Sequence, residues 1–231
     1  MALLGHVARL TLHTAASEST IGSLEAVGFS SSSSHDGRTP CTDGQILVSI
    51  DGNGTAPASL TYYAPSLQSV GDRLAAAGVV FEGTKMTELS VKGPGALTLK
   101  IISASASDME ERSGEDNHVL GYLDALVVPV DDASAAAEWA QKCGFFIIEA
   151  STIGTPMVDV TDGLIKISFR EQAVRAPYLH YTADIDADWC AVVRDALGDA
   201  CRIMGDTPSA PELVQLTIAD ALVIMVTPDE F

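Results

Sequence analysis

The sequence predicts an α+β protein of four βαβββ modules arranged as two pairs. Three observations carry this. Four helical stretches each end in a glycine, at 28, 78, 144 and 198. Each glycine is followed by short runs of strand character separated by turn and charge signals. The glycine spacings are 50, 66 and 54, and the longest spans "SDMEERSGEDNH" at 107–118, a charged run without apolar periodicity that reads as a linker. The division is therefore a first domain over 1–106, a linker over 107–118 and a second domain over 119–231, each domain holding two modules.

The first module, "VARLTLHTAASESTIGSLEAVGF" (7–29), is the weakest. After Gly28 come "FSSSSS", which fits a poor edge strand, and "GQILVSID", entered through the turn Asp43-Gly44. The second, "LTYYAPSLQSVGDRLAAAGVVF" (60–81), is the clearest. Leu67, Val70 and Leu74 share one helical face, Ser66 is placed to cap the start, and Gly78 ends the helix in a left-handed conformation. "VVFEG", "MTELSVK" and "ALTLKIIS" follow as strands. The third module, "DALVVPVDDASAAAEWAQKCGFF" (124–146), continues into "FFIIEAST", "PMVDV" and "GLIKISFRE", the last two joined by the turn Thr161-Asp162-Gly163. The fourth, "LHYTADIDADWCAVVRDALG" (179–198), has Leu179 and Tyr181 where the second has Leu60 and Tyr62, and continues into "CRIM", "LVQLTI" and "ALVIMVTP". A dinucleotide-binding sheet is excluded, because "GNGTAP" (52–57) lacks the glycine spacing and precedes a strand.

Composition narrows the function classes. With 47% hydrophobic and 19% charged residues the 231-residue chain folds into a globular protein. Its net charge of −18, with only 13 Lys and Arg, argues against nucleic acid and anionic membrane surfaces as partners. Cys41, Cys143, Cys190 and Cys201 have neither zinc nor disulfide spacing and read as reduced thiols of a cytoplasmic protein. The start "MALLGHVARL" lacks the features of a signal peptide, and no run reaches transmembrane length.

Four βαβββ units in two pairs, and above all "YYAPSLQSVGDRLAAAGVVF", "DALVVPVDDASAAAEWAQKCGFF" and "GPGALTLKII", resemble the vicinal oxygen chelate superfamily. That superfamily includes glyoxalase I, the bleomycin- and fosfomycin-resistance proteins and the extradiol dioxygenases. The resemblance implies that each pair forms a curved mixed sheet around a cavity. It also implies ligands from the first strand of each module and from the last strand, with His at the former and Glu at the latter. These hold a divalent metal that chelates two vicinal oxygens of the substrate.

Carried onto this sequence, the ligand positions are mostly vacant. In the first half they fall on Ala8 or His6, on Ser59 or Ala58, and near Val48, Ser49 and Leu99, leaving His6 as the one possible ligand. In the second half, where extradiol dioxygenases carry a His, His, Glu iron site, they fall on Asp124, on Tyr178 and near Ile224 or Met225. His180 lies two residues beyond Tyr178 on the same strand face, so Asp124 and His180, completed by Glu149 or Glu171, form an improvised alternative set. Family geometry also turns Tyr63, in phase with Ser59, towards the cavity. Lys100 and Lys166 receive no role, and no Ser-His-Asp arrangement stands out.

The expectation is a glyoxalase- or bleomycin-resistance-like protein that binds a small molecule, cationic in one reading of the acidic charge, through His6, Ser59, Tyr63, Asp124, Tyr178 and His180. On this reading there is no metal and no other cofactor. The alternative is a lyase, isomerase or dioxygenase using Fe, Mn, Ni or Zn at a non-standard site around Asp124 and His180. A fold kept only for protein contact is a third reading. Monomer and homodimer both fit the sequence.

Overall fold

A computed structural model describes residues 3–34, 37–52, 58–84, 87–104, 118–173, 176–205, 211–219 and 221–229. The expected linker lies outside the described residues, apart from His118, which opens a 3-10 turn over His118–Leu120. All four modules run β-α-β-β-β. The first consists of β1 (Val7–His13), α1 (Ser17–Ala26), β2 (Ser30–Ser31), β3 (Arg38–Thr42) and β4 (Leu47–Asp51). The second comprises β5 (Ser59–Ala64), α2 (Leu67–Ala76), β6 (Glu82–Thr84), β7 (Glu88–Lys92) and β8 (Thr98–Ser103). In the third are β9 (Tyr122–Val130), α3 (Ala133–Lys142), β10 (Phe146–Ser151), β11 (Met157–Thr161) and β12 (Lys166–Glu171). The fourth holds β13 (Tyr178–Ala183), α4 (Ala187–Leu197), β14 (Cys201–Met204), β15 (Leu213–Ile218) and β16 (Leu222–Pro228).

Local chemistry explains the repeat. Ser66, Asp132 and Asp186 cap α2, α3 and α4 by accepting from the backbone N–H of Ser69, Ala135 and Trp189 at 3.2, 2.9 and 2.7 Å. The chain leaves each helix through a glycine of positive φ, at Gly28, Gly78, Gly144 and Gly198. The serine run supplies only a two-residue exposed edge strand, β2.

The strands form two eight-stranded mixed sheets, ordered β2-β3-β4-β1-β5-β8-β7-β6 and β10-β11-β12-β9-β13-β16-β15-β14. The first strands of two modules therefore lie at the centre of each sheet, and each sheet takes one half of the chain. The packed units are composed differently. One comprises Met1–Leu10, Pro57–Glu111 and Ala125–Pro177, and the other Thr11–Ala56, Arg112–Asp124 and Tyr178–Phe231. Each compact unit thus joins modules from different sheets.

Within the first unit, Leu67, Val70 and Leu74 of α2 are buried with Leu60, Tyr62, Leu89, Val91, Leu99 and Ile101. Alanines 133, 136, 137 and 140 of α3 are likewise buried, and α3 packs on β10, β11 and β12. Within the second unit, α1 packs on α4 and β15, and Leu179, Tyr181, Leu216, Ile224 and Val226 are fully buried.

A polar turn recurs in the core of both units. In the second unit the turn Thr42-Asp43-Gly44 folds around two side chains. Thr42 Oγ1 donates to Ile46 O at 2.8 Å and accepts from Gly44 N–H at 3.0 Å. Asp43 Oδ1 accepts from the N–H of Gln45 and Ile46, both at 2.9 Å, and its Oδ2 accepts from the buried Tyr181 hydroxyl at 2.7 Å. The turn Thr161-Asp162-Gly163 of the first unit repeats these backbone contacts. Buried Tyr62 lies near Asp162 there, but among the described residues neither its hydroxyl nor Asp162 Oδ2 has a hydrogen-bond partner, unlike the bonded pair Tyr181 and Asp43.

All four cysteines are free thiols. Burial pushes the Cys143 thiol up to about 12, and burial with the Glu25 charge pushes Cys41 up to about 11. At about pH 8 both are expected to resist iodoacetamide in the folded protein and to react after denaturation, as mass spectrometry would detect. Burial and a neighbouring carboxylate also raise Tyr62 and Tyr181 above 10.0. These acids hold their protons more tightly folded than unfolded. Their contribution to stability is therefore complete below the unfolded values of 9.0 for Cys and 10.0 for Tyr and falls as pH rises through them. Thermal unfolding scans should show the midpoint dropping from about pH 9 upward.

Candidate functional site

The site is built on β13. Its Leu179, Tyr181 and Ala183 are buried in the core, so strand alternation turns Tyr178, His180 and Thr182 to the opposite face. Parallel pairing with β16 sets Met225 beside His180 and Thr227 beside Thr182, and antiparallel pairing sets Gln215 of β15 beside Met225. These residues are half-buried, whereas their neighbours Leu216, Ile224 and Val226 are buried. The sheet thus presents one partly open, mixed face and one apolar face.

On the open face His180 joins two other side chains. Its Nδ1 lies 2.9 Å from Asp124 Oδ2, and its Nε2 lies 3.1 Å from Thr227 Oγ1. A carboxylate can only accept, so in the neutral ring Nδ1–H donates to Asp124, and the Thr227 hydroxyl donates to Nε2. The side chains of His180 and Asp124 are 12% and 28% exposed, which places the pair at the boundary of core and solvent.

The start of β9 is held so that Asp124 reaches His180. The Gln45 side-chain amide spans this segment, donating from Nε2 to Gly121 O at 2.8 Å and accepting from Leu123 N–H at 2.7 Å. Gly121 has φ +80°, and a Cβ there would fall 2.1 Å from Thr182 O, so only glycine permits β9 to approach β13 this closely. Trp189 of α4 donates from Nε1 to Val119 O at 2.6 Å, fixing the preceding turn.

The other residues singled out from the sequence are placed as follows. Tyr178 is buried on the face of His180. At the last-strand position Ile224 turns into the core, and Met225 faces His180 in register. Glu149 is exposed on the edge strand β10 of the other unit, and Glu171 Oε1 accepts from Ala133 N–H at 3.1 Å at the start of α3. His6 is exposed just before β1, with its backbone N–H bonded to Tyr63 O at 3.0 Å. Ser59 and Tyr63 are buried, and the Arg9 guanidinium lies 4.8 Å from the centre of the Tyr63 ring. Sequence reasoning brought Asp124 and His180 forward but missed Thr227. The signal available for it was the phase of β16, where Val223, Met225 and Thr227 alternate with apolar residues.

No protein-family model matches the sequence, and no curated protein does. The fold, in contrast, matches solved structures. Homoprotocatechuate 2,3-dioxygenase from Arthrobacter globiformis aligns at TM-score 0.66 and 11% identity, over 99% of this chain and 80% of that one. The E323L mutant of homoprotocatechuate 2,3-dioxygenase from Brevibacterium fuscum aligns at 0.62 and 12%, over 100% and 72%. The 2,3-dioxygenase LapB from Pseudomonas sp. KL28 aligns at 0.60 and 10%, over 100% and 93%. The chain has the vicinal oxygen chelate fold, in the four-module form of the extradiol dioxygenases.

This likeness corrects the expectation that the protein works without a cofactor. The structures it resembles are 2,3-dioxygenases, the class for which the resemblance given above implies an iron site in the second half. The residues of this chain do not fit that three-ligand site. Its positions hold Asp124, Tyr178 and the Met225 thioether, and both ring nitrogens of His180 already have partners. Among the described residues no group of three or more His, Cys, Asp or Glu is placed to hold a metal ion. What the residues do form is a carboxylate–imidazole–hydroxyl chain. Such a chain fixes the imidazole tautomer and leaves Nε2 as the nitrogen that can accept a proton. Among the described residues no helix is long and apolar enough to cross a membrane.

Proposed function

We propose that this protein is an enzyme of vicinal oxygen chelate type that acts on a small molecule bearing two neighbouring oxygens, with His180 as its proton acceptor. The observation that carries the reading is the chain Asp124–His180–Thr227 on the partly open face of the second sheet. A sequestering protein needs a shaped surface. It has no need of an imidazole braced by a carboxylate at one nitrogen and by a hydroxyl at the other. The fold likeness to 2,3-dioxygenases makes catechols the first substrates to test, ahead of the substrates of lyases and isomerases.

The step assigned to the chain's own residues is a proton transfer. A substrate hydroxyl takes the place of the Thr227 hydroxyl at His180 Nε2 and gives up its proton there. Asp124, bonded to Nδ1–H, orients the ring and balances the imidazolium charge. Catechols with added ferrous, manganous, nickel or zinc ion in turn should be screened for turnover in the wild type, Asp124→Ala and His180→Ala. The expected result is turnover by the wild type that both substitutions reduce. Full activity in both variants would refute the assignment.

A further inference from the structure

The N-terminal sheet has a polar face of its own, and we propose that it binds a small organic carboxylate. In β5, β7 and β8 the residues Leu60, Tyr62, Leu89, Val91, Leu99 and Ile101 are buried in the core. Strand alternation turns Ser59, Thr61 and Tyr63 of β5, Ser90 of β7 and Lys100 of β8 to the opposite face. Register places Lys100 between Thr61 on one side and Ser90 on the other. From β1, Arg9 extends its guanidinium over the Tyr63 ring at 4.8 Å. A chain with only 13 Lys and Arg against 31 Asp and Glu thus sets two cations on one face of this sheet.

Two features of that face call for an anion. Lys100 is half-buried, and among the described residues no carboxylate is paired with it. The neighbouring Lys92, in contrast, pairs with Glu82 at 3.2 Å. Ser59 is 1% exposed, and among the described residues its Oγ has no hydrogen-bond partner. A half-buried cation and a buried hydroxyl without an acceptor are both costly to leave unmet. A carboxylate accepts from both. The half-buried side chain of Ile102, on the same face as Lys100, then offers apolar surface to the body of the ligand, which favours an aromatic or branched acid over a bare anion. The proposal uses the first unit alone and does not depend on the reaction assigned to His180.

The test is a calorimetric titration of the full chain with sodium benzoate, with inorganic phosphate as a second titrant. Saturable benzoate binding that weakens with added salt is expected. Lys100→Met and Ser59→Ala should each weaken it, Lys100→Met by about ten-fold or more. Ser59→Ala deletes a hydroxyl without a partner, so this variant should fold as the wild type does and keep the comparison readable. His180→Ala should bind benzoate as the wild type does. Absence of saturable binding by the wild type, unchanged affinity in either Lys100→Met or Ser59→Ala, or tighter binding of phosphate than of benzoate would overturn the proposal.

Discussion

Asp43→Ala is expected to lower the unfolding free energy by about 3–5 kcal/mol, the largest stability loss of any single substitution proposed for this chain. The buried carboxylate has three donors to satisfy, the N–H groups of Gln45 and Ile46 and the Tyr181 hydroxyl. Alanine leaves all three without a partner in a region where water does not replace it. Tyr181→Phe should cost less, about 1–3 kcal/mol, because only one bond is lost, although Asp43 Oδ2 then remains buried with its charge. The double variant should be close to Asp43→Ala alone, since the two single changes break the same bond. Urea denaturation followed by circular dichroism measures all three. A loss below about 1 kcal/mol for Asp43→Ala would mean that the turn keeps its shape without the carboxylate. Asp162→Ala in the other unit should cost less, because only the N–H groups of Leu164 and Ile165 are bonded to that carboxylate.

For activity, His180→Ala is expected to lower kcat/KM on the substrate found by the turnover screen by about 10²–10⁴-fold, the range for loss of a positioned acid–base group. Asp124→Asn should fall between His180→Ala and wild type. It preserves shape but removes the charge that favours the imidazolium, and its amide can hold the ring in the wrong tautomer. Thr227→Val should reduce kcat/KM least, because the hydroxyl yields its place to the substrate in the step proposed. Imidazole added to the medium should restore part of the His180→Ala turnover and leave the wild type unchanged. A merely structural role for His180 would give no such rescue, and an order of effects led by Thr227→Val would make its hydroxyl the reacting group.

Much of the architecture was legible in the residues. Helix ends are local events, and Ser66, Asp132, Gly78 and Gly144 act through contacts within a few positions of themselves. Alternation in "LVQLTI" and "ALVIMVTP" marks one buried face for the same reason, since the pleat alone decides it. The turn Asp43-Gly44 was equally plain, but its buried use was not. Tyr181 lies 138 positions away in the chain, and nothing local to either residue specifies the other. The same holds for Lys100, whose setting depends on the register of three strands.

The sequence by itself determined the repeat and the class of fold, because both depend on local spacing and residue type. Only the tertiary structure decided that Asp124, His180 and Thr227, which come from three different strands, meet at one point. That meeting is set by how β9, β13 and β16 lie side by side, with Gly121 allowing the close approach and Gln45 fixing it. Pairing between distant strands is a property of the whole packed sheet, so the chemistry at their crossing cannot be written in any one segment.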